Sequence, residues 1–247
     1  MGNRELLPHE GNPLFTIRHS LFARYEGTMA DEFKLNADEK VFDAKGADRA
    51  KGIKPKDAAT LILIRDGREV MMGQRAKGHV FMPDKWVFPG GRVDPGDARA
   101  KAAHELTSET ERLLRLGGVR RPPRAFALAA VRETKEEAGL VLGGGAGPDL
   151  SKLTLICRAV TPPHRPRRFD ARFFMAAAEE VGVHADPAPS DELLHTAWFS
   201  LDEAEALDLP SVTRFVMKEI RARLAGETVK PPFLRWARGG HQMDRLS

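Results

Sequence analysis

Three carboxylates, Glu133, Glu136 and Glu137, stand at i, i+3 and i+4 within Arg132-Glu133-Thr134-Lys135-Glu136-Glu137-Ala138-Gly139-Leu140. On a helix that spacing clusters them on one face. Like charges held so close repel, and a hard divalent cation relieves them. Mg²⁺ takes oxygen ligands and is commonly held by a few carboxylates, several waters and substrate phosphates. Arg132 lies one turn before Glu136 and can pair with and orient that carboxylate. A solvated acidic face neutralised by Lys135 and Arg132 accounts for the same residues, so the motif has to be weighed with its surroundings.

The run Ala125-Phe126-Ala127-Leu128-Ala129-Ala130-Val131 favours the helix that would carry these groups. At about 100° per residue, Ala127, Val131, Thr134 and Ala138 form an inward stripe. Gly139 suits a left-handed C-terminal cap. Upstream, Ala58–Ile64 is a continuous apolar run and predicts a buried strand. Asp66-Gly67 is a hairpin turn signal, with Glu69–Gly73 as the return strand. Trp86-Val87-Phe88 predicts a short strand, followed at once by Pro89-Gly90-Gly91-Arg92-Val93-Asp94-Pro95-Gly96-Asp97. Such a loop can bring backbone N–H groups close to phosphate oxygens, although most glycine pairs only turn the chain.

Residues 98–124 interrupt the pattern. Ser108 and Glu111 have capping-box spacing before Leu113, Leu114 and Leu116. Gly117-Gly118 then stops the helix, and Arg120-Arg121-Pro122-Pro123 forms a stiff connector. Strands are expected over 153–160, 168–178 and 194–199. A second capping box, Ser200 with Glu203, opens a short helix. A longer helix starts at Pro210-Ser211 and carries Val212, Phe215, Val216, Ile220 and Leu224. The reading divides the chain into a partly ordered extension (1–56), a catalytic-type domain (57–230) and a loosely held basic tail (231–247). The extension contains a short amphipathic piece over Leu14–Phe22 and a second candidate start at Met29.

The chain has 247 residues, 42% apolar and 30% charged, enough for a real core. No run approaches the roughly 18 apolar residues that cross a bilayer, and the first ten residues lack a secretory-type apolar segment, so the cytoplasm is the expected compartment. A single cysteine, Cys157, excludes an intrachain disulfide and a cysteine-based zinc site. A net charge of +4 suits anionic ligands but does not argue for nucleic acid, since the arginine clusters do not alternate with aromatic residues.

Taken together, these motifs resemble the Nudix box, whose pattern is G-x5-E-x7-R-E-U-x-E-E-x-G-U. Gly91 to Asp97 stands in the first part and Arg132 to Leu140 in the second. The flanking Phe88-Pro89-Gly90-Gly91 and Trp198-Phe199-Ser200-Leu201-Asp202-Glu203 are also similar to the family. Asp97 replaces the family's first glutamate and Thr134 its apolar position. Thirty-four residues separate Asp97 from Arg132 where the pattern has seven, about 27 more. A split box, with Pro166-Arg167-Arg168-Phe169-Asp170-Ala171-Arg172, resembles the branch that includes peroxisomal coenzyme A diphosphatases. The sequence nevertheless ends Arg245-Leu246-Ser247, without the peroxisomal tripeptide, and lacks the upstream signature of bacterial coenzyme A pyrophosphatases.

The resemblance implies an α/β fold: an α/β/α sandwich around a mixed β-sheet, with a helical insertion inside the box. It implies a diphosphatase acting on small nucleoside diphosphate derivatives, coenzyme A or acyl-CoA among them, with Mg²⁺ or Mn²⁺ on Glu133, Glu136 and Glu137. Glu133, Glu136 and Arg132 would be catalytic, and Gly90, Gly91, Arg168 and Arg172 would bind substrate. Asp97 and Glu192 are candidate accessory acids, and His164 lies beside the expected site. Cross-strand pairing with Asp170 remains an equal reading for Arg168 and Arg172. A homodimer is compatible with the family, and no membrane partner is expected. Two other functions stay open: a nucleotide-binding or regulatory domain without turnover, and an RNA-end hydrolase.

Overall fold

The computed structural model describes residues 53–77, 82–163, 165, 167–237 and 240–247. The extension up to residue 52, with the Leu14–Phe22 piece and Met29, lies outside the described residues, as does His164. Nine strands form one sheet: β1 (Lys56–Arg65), β2 (Glu69–Arg75), β3 (Trp86–Val87), β4 (Gly90–Arg92), β5 (Thr154–Val160), β6 (Phe169–Ala177), β7 (Leu193–Ser200), β8 (Pro232–Ala237) and β9 (Gly240–Arg245). Among the described residues, four helices accompany them: α1 (Ser108–Arg115), α2 (Pro123–Ala138), α3 (Leu201–Ala206) and α4 (Ser211–Leu224). The order is β3-β2-β1-β6-β5-β8-β9, with β4 beside β1 and β7 beside β2. β1–β6 and β5–β8 are parallel and the remaining pairs antiparallel, so the sheet is mixed.

β1 is apolar on both faces because both faces are covered. Ala59, Leu61 and Leu63 join Phe126, Leu114 and Leu153 in one core, on the α1/α2 side. Ile62 and Ile64 join Phe173, Val216 and Ile220 in a second core, on the α3/α4 side. The two cores make the expected α/β/α layering. At the hairpin, where Arg65 pairs with Glu69, Asp66 (φ 52°) and Gly67 (φ 66°) both take left-handed backbone. α2 starts with Pro123 in its first turn and ends at Gly139 (φ 68°), whose N–H bonds Lys135 O. Of the inward stripe, Ala127, Thr134 and Ala138 are buried and Val131 is half-buried. Thr134 keeps its hydroxyl satisfied on Ala130 O at 2.8 Å.

Two expectations are corrected. The cap of α1 is Thr107, whose hydroxyl accepts from Thr110 N, one residue before the Ser108 anticipated to cap the helix with Glu111. Glu111 instead pairs along the helix with Arg115. The tail from Pro231 is not loose: β8 adds in parallel to β5, and β9 returns antiparallel. Arg245 reaches the buried carboxylate of Glu219 at 2.9 Å, and Leu246 is buried. These contacts are long-range, so a polar composition concealed them. The insertion is likewise part of the core: Leu113 and Leu114 pack on Phe126, and Leu116 O accepts from Arg158 at 2.8 Å.

Candidate active site

α2 lies along β1 and β4, which sets its carboxylates above the Gly90–Gly91 backbone. Glu137 is almost fully buried and accepts from Gly90 N at 2.9 Å. Glu133 sits against Gly91, where a Cβ would overlap its carboxylate. Both line a cleft of about 590 Å³ together with Glu192, Arg75 and Asp94. Burial raises the Glu137 carboxyl to about 8, against the bond from Gly90 and the Arg75 charge, with Glu133 and Glu192 pushing further upward. Burial also raises Glu133, opposed by Arg132. The Arg75 guanidinium is lowered by burial and held up by Glu137, Glu192 and Glu133.

Glu136 departs from the expected trio. Its side chain is 56% exposed, it does not line the cleft, and it pairs with Arg132 at 2.8 Å. The reason is helical phase: Glu136 and Glu137 are about 100° apart, so one cleft cannot face both equally. Arg132 ties the site together. Its Nε and Nη2 grip Asp97 (2.9 and 3.2 Å), its Nη1 donates to Glu133 (2.9 Å) and Glu136, and Nη2 also donates to Arg92 O (2.9 Å).

Asp97, expected as an accessory acid, is buried away from the cleft and also accepts from Asp94 N at 2.7 Å. Its shorter side chain reaches Arg132 because the chain tightens there into a 3₁₀ turn, Asp97–Arg99. Arg172 is corrected too. It is 1% exposed on the α2 side of the sheet, paired with Asp57 (3.1 Å) and Asp170 (3.2 Å) and stacked over Phe126. Arg168 donates to the backbone oxygens of Thr161 and Ile53 and does not line the cleft. Their neighbours Arg165 and Arg167 do, with Arg235 and His241 from the C-terminal hairpin. The arginine cluster at 165–172 is visible in sequence, but which members face the cleft depends on the course of the β5–β6 connection and, for Arg172, on the face of β6 it occupies. Arg75 gave no signal beyond its strand.

The same geometry separates the two glycines. A Cβ on Gly90 would meet Ala59 O at 2.6 Å and Thr60 Cα at 2.7 Å, so Gly90→Ala forces β4 off β1 and is expected to lose about 1–3 kcal/mol of stability. Gly91→Ala meets the carboxylate end of Glu133 first, a side-chain terminus rather than backbone. It is expected to keep its melting temperature within a few degrees while activity falls about tenfold or more. Denaturant melts beside steady-state kinetics check both.

Among the described residues no three His, Cys, Asp or Glu side chains form a ready ligand cluster. The donor chemistry nonetheless fits a hard cation. Glu133 and Glu137 are oxygen donors whose burial leaves their negative charge poorly compensated, and Mg²⁺ binds through one or two carboxylates plus waters and phosphates.

Residues 54–126 match the NUDIX domain model. The match runs through the inserted segment and stops within α2, before Arg132. A chicken protein, acyl-coenzyme A diphosphatase NUDT19, is 29% identical over 147 residues, covering 46% of this chain and 38% of that protein. A Caenorhabditis elegans relative in the nudix hydrolase series is 28% identical over 155 residues, covering 51% and 45%. The chain thus spans less than half the length of these curated relatives. The crystal structure of a NUDIX hydrolase from Alicyclobacillus acidocaldarius superposes with a TM-score of 0.55 at 27% identity, over 73% of this chain and all of that one. The chain thus carries a NUDIX-domain match over residues 54–126 on a fold similar to that of a solved NUDIX hydrolase. No helix among its described residues is long and apolar enough to cross a membrane.

Proposed function

We propose that the chain is a divalent-metal-dependent diphosphatase that hydrolyses the P–O–P linkage of a nucleoside diphosphate derivative, with coenzyme A or an acyl-CoA as the leading substrate. The observation that carries this reading is the pair of buried carboxylates, Glu133 and Glu137, facing a substrate-sized cleft over Gly90 and Gly91. The likeness to the chicken acyl-CoA diphosphatase supports the substrate class.

Mg²⁺ or Mn²⁺ held there would neutralise diphosphate charge and lower the pKa of a bound water. Glu133 and Glu137 would hold it from α2, with Glu192 approaching from the start of β7. Glu136, exposed at the helix rim and held by Arg132, would join them only after releasing that pair. One of the cleft carboxylates would accept the attacking water's proton. Arg132 positions this group without touching substrate, and the Gly90–Gly91 backbone lets the diphosphate approach the sheet.

The deciding experiment incubates the protein with Mg²⁺ or Mn²⁺ and coenzyme A, a dinucleoside polyphosphate, an ADP-sugar and an oxidised nucleotide, with Glu136→Gln and Glu137→Gln alongside. The reading expects coenzyme A to be split into two phosphate-bearing halves and both variants to lose at least about a hundredfold. Metal-dependent binding with no cleavage of any compound favours the non-hydrolysing binding domain, a reading supported by the hold of Arg132 on Glu136.

A further inference from the structure

The cleft is a trough laid across the sheet rather than a pit above α2. Residues paired side by side, Arg92 (β4), Ala58 (β1), Ala171 (β6), Ala159 (β5) and Leu234 (β8), all line it. Four strand spacings put Leu234 about 19 Å from the carboxylate end. Three consecutive alanines keep the floor low along that distance.

The two ends differ in charge. Every acidic residue lining the trough (Asp94, Glu133, Glu137 and Glu192) belongs to the end over β4. Beyond the β5–β6 ends joined by Thr161 N donating to Phe169 O, two to three spacings away or about 10–14 Å, Arg165 and Arg167 line the trough. The hairpin contributes His241, in edge contact with Trp236, and Arg235, held by Asp244 at 2.6 Å. Its place is fixed by Arg245 on buried Glu219, which Arg223 also pairs at 2.7 Å. A scissile diphosphate bound at the acidic end lies too far away to contact these side chains.

We infer that the basic end is a second anion subsite. Arg165 and Arg167, backed by Arg235 and His241 of the hairpin, accept a phosphomonoester that the substrate carries apart from the bond to be broken. The placement of the diphosphate rests on the diphosphatase reading, whereas the subsite itself does not. Charge-assisted pairing of this kind makes the substrate's second phosphate a selection criterion.

Calorimetric titration in chelator, with no turnover required, compares adenosine 3′,5′-bisphosphate with AMP. The full chain is expected to bind the bisphosphate at least tenfold more tightly, and Arg165→Gln with Arg167→Gln to erase that preference while leaving AMP binding and the melting temperature unchanged. Kinetics then compare coenzyme A with 3′-dephospho-coenzyme A. The double variant should raise KM about tenfold for coenzyme A alone, with kcat unaltered. Equal binding of bisphosphate and AMP by the unaltered protein, or equal loss for both in the variant, overturns the inference. A retained bisphosphate preference with no cleavage of either coenzyme would overturn the coenzyme A assignment and leave the subsite standing.

Discussion

Arg132→Lys is expected to lower turnover at least a hundredfold, close to the effect of Arg132→Ala, despite keeping the charge. Five contacts from one guanidinium join Asp97, Glu133, Glu136 and Arg92 O. A lysine has one nitrogen and cannot serve the Asp97 fork and the two glutamates together. Nearly buried Asp97 is then left without its partner, and losing one member of such a pair costs about 3 kcal/mol. Asp97→Asn should lose less activity, since Glu133 and Glu136 keep their contact. Combined with Arg132→Ala it should add little, because the two act on one connection. Full activity in Arg132→Lys, measured with melting curves to separate folding from catalysis, would remove Arg132 from its positioning role.

The second large effect is expected from Glu137→Gln. The amide oxygen can still accept from Gly90 N, so the fold is kept and only the charge goes. A loss of about 10²–10³ in kcat/KM is the scale seen when one preorganised charge-stabilising group is removed. Its pH behaviour is more distinctive. The Glu137 carboxyl sits near 8 in the metal-free fold, against 4.5 in the open chain, so between those values the folded state holds a proton that the unfolded state has released. The contribution of this carboxyl to metal-free stability therefore falls as pH rises through that window and is gone above about pH 8. A cation that binds the ionised carboxylate reverses this. In chelator, the melting temperature should drop from pH 6 to 8.5, and Mg²⁺ or Mn²⁺ should raise it more at pH 8 than at pH 6. Glu137→Gln should flatten both trends. An unchanged metal increment in that variant would place the cation elsewhere.

What could be read from sequence follows from how local each cause is. β1 and α2 declare themselves through apolar runs, a proline in the first turn and a capping glycine, all of which act within a few residues. The box residues are legible for the same reason. The roles that shifted are those decided across the sheet. Glu136 and Glu137 look equivalent until the direction of the cleft is known. Arg172 looks like a ligand for anions until Asp57, Asp170 and Phe126 close around it. The hairpin at 232–245 looks like a tail because its partners, β5 and Glu219, lie far away along the chain. Arg75 enters the site through a register shift against β7 that nothing nearby announces.

The long segment inside the box has a bearing on how this fold can be rearranged. Its two ends are fastened without covalent help: Arg124 binds the carbonyls of Ala98 and Ala100 and the Glu105 carboxylate, and Arg132 holds Asp97. Doubling the length of chain between fixed ends costs only about 0.6 kcal/mol. At Gly118, whose backbone is left-handed, the space where a side chain would start is open to solvent. The polypeptide could therefore be opened there, or a foreign domain spliced in, with the carboxylates, the glycine loop and the trough still brought together by contacts alone.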